Sequence, residues 1–202
     1  MSSAGAARPG GRTARNTQAV FAATIDELSA RPYTEISVET IAARAGVHKT
    51  TVYRRWHSKD ELVAEALTAT AGTLIEVPDT GSAASDLRAL SRSVQATLAS
   101  PRGAAVTRSL LAGAAAGPGI RQLMQQFWAQ RLSAIAVIVD RATARGEVPP
   151  GTGAARVMHA VAGPLYYKLL VTGEQLTRQD ADQAAAAALA AAQAGVFTGS
   201  GG

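Results

Sequence analysis

The side chains best suited to chemistry on a polyanion fall together between positions 48 and 59. His48, Lys49, Thr50, Thr51, Tyr53, Arg54 and Arg55 run almost without interruption, and Lys59 follows. Ammonium and guanidinium groups donate to phosphate oxygens, while short hydroxyls and an imidazole can approach base edges. The residue sets that covalent or acid–base catalysis needs are missing. The chain has no Cys, which removes a thiolate nucleophile and any Cys-ligated metal. Its three His (His48, His57 and His159) are scattered, and no paired carboxylates or Ser-His-acid set is visible. The expectation is a binding protein, not an enzyme, with no metal and no cofactor.

Those donors must be held by structure, and the flanking residues specify it. Ser37 precedes Val38, Ile41, Ala42 and Ala45, an N-cap followed by a helical stripe. Gly46 ends that helix, as glycine in the left-handed conformation often does. A short helix from Lys49 to Trp56 follows, with Val52 and Trp56 facing inward together. Ser58-Lys59-Asp60-Glu61 has the spacing of a capping box and opens a further helix through Leu62, Val63, Ala66, Leu67 and Leu74. Upstream, Val20, Phe21, Thr24, Ile25 and Leu28 make one face of a helix that stops near Arg31-Pro32. Two short helices joined by a tight turn form a helix-turn-helix, whose second helix lies in a DNA major groove.

The run from Ser37 to Leu62 resembles the DNA-binding domain of the TetR family of transcriptional repressors. The Ile41-Ala42-x-x-Ala45-Gly46-Val47 turn, Thr51-Val52-Tyr53, Trp56 and Ser58-Lys59-x-Glu61-Leu62 stand at the family's spacing, over about Thr13 to Leu67. Gly163 to Gly173 more weakly resembles one C-terminal subgroup of the family. The resemblance implies a homodimer reading two half-sites of a palindromic operator in double-stranded DNA. It implies that a small-molecule inducer binds the C-terminal helices and moves the fourth helix. By position, Lys49, Thr50 and Thr51 are base or phosphate readers. Tyr53, His57 and Lys59 are phosphate contacts, and Ser37 caps its helix and can touch a phosphate. Arg54 joins them as a guanidinium donor. His48 departs from the family, which often has a small cap residue there. A neutral imidazole caps poorly but can donate to a base or phosphate.

Beyond a break at Pro78 to Gly81 the chain reads as a larger helical set. Leu87, Leu90, Val94 and Leu98 mark one helix, and Val106, Leu110 and Leu111 another that ends from Gly113 to Gly119. Ile120 to about Arg145 is a long helix, roughly 40 Å at 1.5 Å per residue. Val157, Met158, Val161, Leu165 and Leu169 mark the next, with Gly163-Pro164 expected to kink it. The last helix follows Thr177. The fold class is therefore all-α: an N-terminal three-helix helix-turn-helix domain and a larger C-terminal helical domain, about nine helices in all. Boundaries fall as a basic arm over 1–12, a DNA-binding domain with its linker helix over 13–72, and a ligand-binding and dimerisation domain over 73–198.

The candidate ligand site is Met124, Phe127, Trp128, Arg131, His159 and Tyr166. An aromatic stripe at helical spacing also fits plain core. Aromatics are only 4% of this chain, however, and several lie between Phe127 and Tyr167. An apolar or aromatic inducer follows. Leu165, Leu169, Leu189 and Val196 are the candidate dimer contacts, beside an alanine run that either admits a partner helix closely or reflects composition.

The chain has 202 residues and a formal net charge of +5, a mild bias toward an anionic partner. No apolar run reaches membrane-spanning length and no secretory signal opens the chain, so it reads as cytoplasmic. A ligand-independent regulator or an activator of the same fold is the alternative.

Overall fold

A computed structural model describes residues 11–72 and 77–199. Among these, nine α-helices and one π-turn carry the architecture, and the sole β feature is an isolated bridge between Thr152 and Thr198. In chain order the helices are α1 (Arg12–Ala30), α2 (Val38–Ala45), α3 (Lys49–Tyr53), α4 (Lys59–Gly72), α5 (Ala83–Ala99), α6 (Pro101–Ala116), α7 (Pro118–Ala144), α8 (Ala154–Tyr167) and α9 (Arg178–Gln193). The basic arm ahead of Gly11, Leu74 and the last three residues lie outside the described residues.

Capping residues set most starts. Ser37, Ser82, Ser100 and Thr177 each accept a backbone N–H from the first turn of α2, α5, α6 and α9. This satisfies donors that a helix start leaves without partners. At α4, Ser58 Oγ accepts from Glu61 N at 3.1 Å as expected. The return bond differs: Glu61 reaches one residue further back, accepting from His57 N at 2.7 Å.

Two apolar clusters form the core. The first joins α1 to α4 through Leu28, Ile41, Val52, Trp56 and Leu62, and also takes Leu110 from α6 and Ile120 from α7. The second joins α5, α7, α8 and α9 through Leu90, Leu98, Ile138, Val161, Leu165 and Ala188. The length of α7 lets one helix serve both.

α6 continues through Gly113 and ends at Ala116 with Gly117 as its C-cap, inside the stretch where the sequence places its end. Two local features add to or depart from the sequence expectation. Pro164 stands inside α8, and the helix then widens into a π-turn at Lys168–Thr172 before Gly173, at φ 67°, closes it. The expectation that Leu165 and Leu169 meet a partner is corrected. Both face the protomer's own core, with Leu165 at 0% exposure. Helical spacing identifies an apolar face without saying which neighbour covers it. Here the chain's own helices do. Leu189 is half-buried against the same cluster, and Val196 is exposed. The outward apolar residues near the end of α8 are Tyr167, Leu170 and Val171.

Candidate nucleic-acid interface

The helix-turn-helix is built by local bonds. In α2, Ser37 Oγ accepts from Thr40 N and Thr40 Oγ1 accepts from Ser37 N, each at 3.1 Å. The helix ends at Gly46, whose φ of 67° is one that a Cβ disfavours. Gly46 N donates to Ala43 O at 3.2 Å and Val47 N to Ala42 O at 3.0 Å, which closes the last turn. His48 then opens α3 in extended conformation, and its ring caps nothing. Backbone bonds continue the turn beyond Tyr53, with Trp56 N donating to Val52 O at 2.9 Å.

Val52 and Trp56 are both buried, and they fix which way α3 faces. Four residues apart, they lie on one side of the helix. His48, Lys49, Thr50, Tyr53 and Arg54 are exposed on the remainder, and Thr51 is half-buried. Tyr53 is 45% exposed, so it is not a core tyrosine; its hydroxyl donates to Glu39 at a long 3.4 Å. Among the described residues, the side chains of Lys49 and Arg54 have no hydrogen-bond or ion-pair partner. Their cationic groups are open to an anionic ligand. The side chain of His57 is 87% exposed, and its Nδ1 stands 3.3 Å from Glu61 Oε2.

The neighbouring cations are used internally. Arg44 donates to Glu27 at 2.6 Å, and Arg31 lies 3.5 Å from the other oxygen of that buried carboxylate. Arg55 donates to Thr17 Oγ1 at 2.6 Å and to Glu65 at 2.9 Å, and stacks 5.0 Å from the Trp56 ring. Trp56 Nε1 donates to the second Glu65 oxygen at 2.6 Å. Glu65 on α4 therefore holds the end of the recognition turn, and Glu27 on α1 holds α2. Sequence reasoning did not single out either acid. The available signal was a carboxylate set among the apolar positions of its helix.

Lys59, expected as a phosphate contact, also bonds within the protein. Its ammonium donates to the carbonyls of Tyr33 at 2.9 Å and Ile36 at 3.1 Å, and lies 4.2 Å from the Tyr33 ring centroid. Burial pushes its pKa below the ordinary lysine value. It fastens the loop between α1 and α2 to the start of α4. A lysine has three donors, and two of them are committed here.

The candidate ligand residues are divided between the two clusters. Met124 and Phe127 pack against the first, Trp128 and Tyr166 against the second. The rings form a chain, with Phe127 to Trp128 at 5.4 Å and Trp128 to Tyr166 at 5.7 Å between centroids, both edge-to-face. His159 is exposed on α8, apart from them. The side chain of Arg131 lies outside the described residues. An apolar cavity of about 10 Å³, between Leu87, Ile138 and Val157, is too small for an organic ligand.

A buried anchor pair behind an open donor face, on the second of two helices joined by a glycine turn, defines a helix-turn-helix DNA-binding protein. Residues 20–66 match the model of bacterial regulatory proteins of the tetR family, and residues 77–188 match the tetracyclin repressor-like C-terminal domain. The chain belongs to the TetR family of transcriptional regulators. It is 30% identical over 152 residues to the regulator AqdR of Rhodococcus erythropolis, covering 75% of this chain and 73% of that one. It is 25% identical over 159 residues to the regulator YdeS of Bacillus subtilis, covering 79% and 80%. Among solved structures, FadR of Bacillus subtilis in complex with stearoyl-CoA superposes with a TM-score of 0.68 at 19% identity, over 88% of this chain and 98% of that one. Homologues and structural neighbours are transcriptional regulators, not enzymes. Among the described residues, no helix is long and apolar enough to cross a membrane.

Proposed function

We propose that the chain is a homodimeric repressor that reads a palindromic operator through α3 and is released from it by a small molecule. The observation that carries this reading is the state of the donors on α3. Among the described residues the side chains of Lys49 and Arg54 have no partner, while Arg44, Arg55 and Lys59 around them are already paired within the protein. His48, Lys49, Thr50 and Thr51 read bases or nearby phosphates. Tyr53, Arg54 and His57 hold phosphates. Ser37 serves α2 as its cap and stands near the backbone. Residues 13–72 act as the DNA-binding unit and 73–198 as the regulatory unit.

Exposed Tyr167, Leu170 and Val171 at the end of α8, and Val196 after α9, give the regulatory unit apolar surface for a second copy. The inducer is apolar or aromatic and lies by Phe127, Trp128 and Tyr166, whose rings stack from one cluster to the other. Ligand contact there bears on both clusters at once, which suits a coupling of typically 1–3 kcal/mol.

A thermal-shift screen of planar apolar compounds, followed by operator titration with any compound that stabilises the protein, tests the reading. A compound that raises the melting temperature and weakens operator binding between about 5- and 150-fold supports it. A stabilising compound that leaves operator affinity unchanged contradicts the release step.

A further inference from the structure

α6 runs beside the C-terminal end of α1. Arg102 pairs with Asp26 at 2.7 Å, and Ser109 Oγ donates to the carbonyl of Arg31 at 3.0 Å. At the far end, Gly113 faces Tyr33. A Cβ at position 113 would stand 2.8 Å from Tyr33 Cδ1 and 2.9 Å from its Cβ and Cγ, closer than side chains approach. Tyr33 is 6% exposed and has little room to yield. Its hydroxyl donates to Asp60 at the start of α4, and Lys59 holds its carbonyl. In the first turn of α7, a Cβ on Gly119 would run into the same Asp60 carboxylate.

The end of α6 and the start of α7, on either side of their turn, therefore meet two side chains, Tyr33 and Asp60, that tie the α1–α2 loop to α4. That loop ends in Ser37, the cap of α2, and α2 carries α3 through the Gly46 turn and the buried Ile41 and Val52. Glycines at 113 and 119 let the two halves interlock without slack.

From this geometry we infer that Tyr33, seated on Gly113, is the positioning residue through which the α6–α7 turn sets the placement of α3. The inference rests on the reading of α3 as the DNA-contacting helix. A methyl group at 113 displaces Tyr33 at a known point, so the lever can be pushed without any inducer.

The test uses full-length wild type, Gly113→Ala, Tyr33→Ala and the double variant. Each is titrated by fluorescence anisotropy against the duplex that wild type selects and against a scrambled duplex of equal length. Circular dichroism and sedimentation are run in parallel. Alanine is the better helix former, so propensity does not oppose the substitution. Gly113→Ala loses at least about tenfold in operator affinity, about 1.4 kcal/mol, while scrambled-duplex binding, helix content and oligomeric state stay as in wild type. Tyr33→Ala and the double variant bind the operator alike, because the ring that transmits the push is gone. That non-additivity distinguishes a lever from a damaged fold.

Gly119→Ala, paired with Asp60→Ala, is the second cycle and stands in if Gly113→Ala does not fold. The carboxylate end yields more easily, so the expected loss is smaller, about threefold, and it vanishes in the Asp60→Ala background. Wild-type operator affinity in the glycine variants, parallel loss on both duplexes, or additive cycles would overturn the inference. A wild type without sequence preference would instead overturn the reading of α3.

Discussion

The ammonium of Lys59 stands 2.9 Å from the carbonyl oxygen of Tyr33, across a separation of 26 positions in the chain. With Ile36 O as its second acceptor, it closes the α1–α2 loop onto α4. Lys59→Met should therefore act on folding more than on DNA. Chemical denaturation should show a loss of about 1.5–3 kcal/mol, the usual size for hydrogen bonds to a charged group. The salt dependence of binding to non-specific duplex should keep its slope. A slope shallower by about one unit would return Lys59 to the phosphate backbone.

Glu65 accepts from the Trp56 indole and from Arg55 at the end of the recognition turn. Glu65→Ala leaves a buried indole N–H without its partner. The expected cost is about 1–3 kcal/mol in denaturant unfolding. Glu65→Gln keeps an acceptor for the indole and should lose less. Equal losses in the two variants would mean that packing, not the hydrogen bond, holds Trp56.

What was legible in the sequence was local. Ser37, Gly46 and Thr177 announce helix ends because caps act on backbone groups within four positions. Val52 and Trp56 announce the hidden side of α3 because helical spacing places them together. The misses depend on distant partners. Nothing near Gly113 in the sequence announces Tyr33, 80 positions earlier, as the side chain it faces. Lys59 looks like a free cation until the carbonyls of Tyr33 and Ile36 are found beneath it. Leu165 and Leu169 show an apolar face, and only the packing of the protomer shows that its own core covers that face. The spacing of the candidate ligand aromatics shows them as neighbours, but not their division between two clusters.

Tyr53 presents its hydroxyl at the surface with only a long bond to Glu39. If it holds a phosphate, Tyr53→Phe should weaken binding to operator and scrambled duplex by the same factor, about three- to tenfold. Anisotropy titrations on both duplexes check this. A change in which sequence is preferred would make Tyr53 a base reader.

Asp180 at the start of α9 accepts from Lys168, which is the main cause of its low pKa, and from the backbone and hydroxyl of Thr177. Together these hold its carboxyl at about 2, down from 3.8. A carboxyl depressed in the folded state stabilises above its unfolded pKa and loses that contribution as pH falls through the folded value. Acid unfolding of wild type and Asp180→Asn should therefore differ most above pH 4. The two curves should converge toward pH 2. Curves that stay parallel throughout would show that Asp180 does not set this part of the acid response.

The central claim is that the open donor face of α3 reads a DNA sequence. Selection of random duplexes on the purified full-length protein at about 150 mM salt, followed by sequencing, tests it most directly, since base contacts survive salt that removes purely phosphate-driven binding. The expected result is an enriched palindrome whose half-site preference changes when His48, Lys49, Thr50 or Thr51 is substituted. No enriched motif, together with binding that disappears as salt rises, would contradict it.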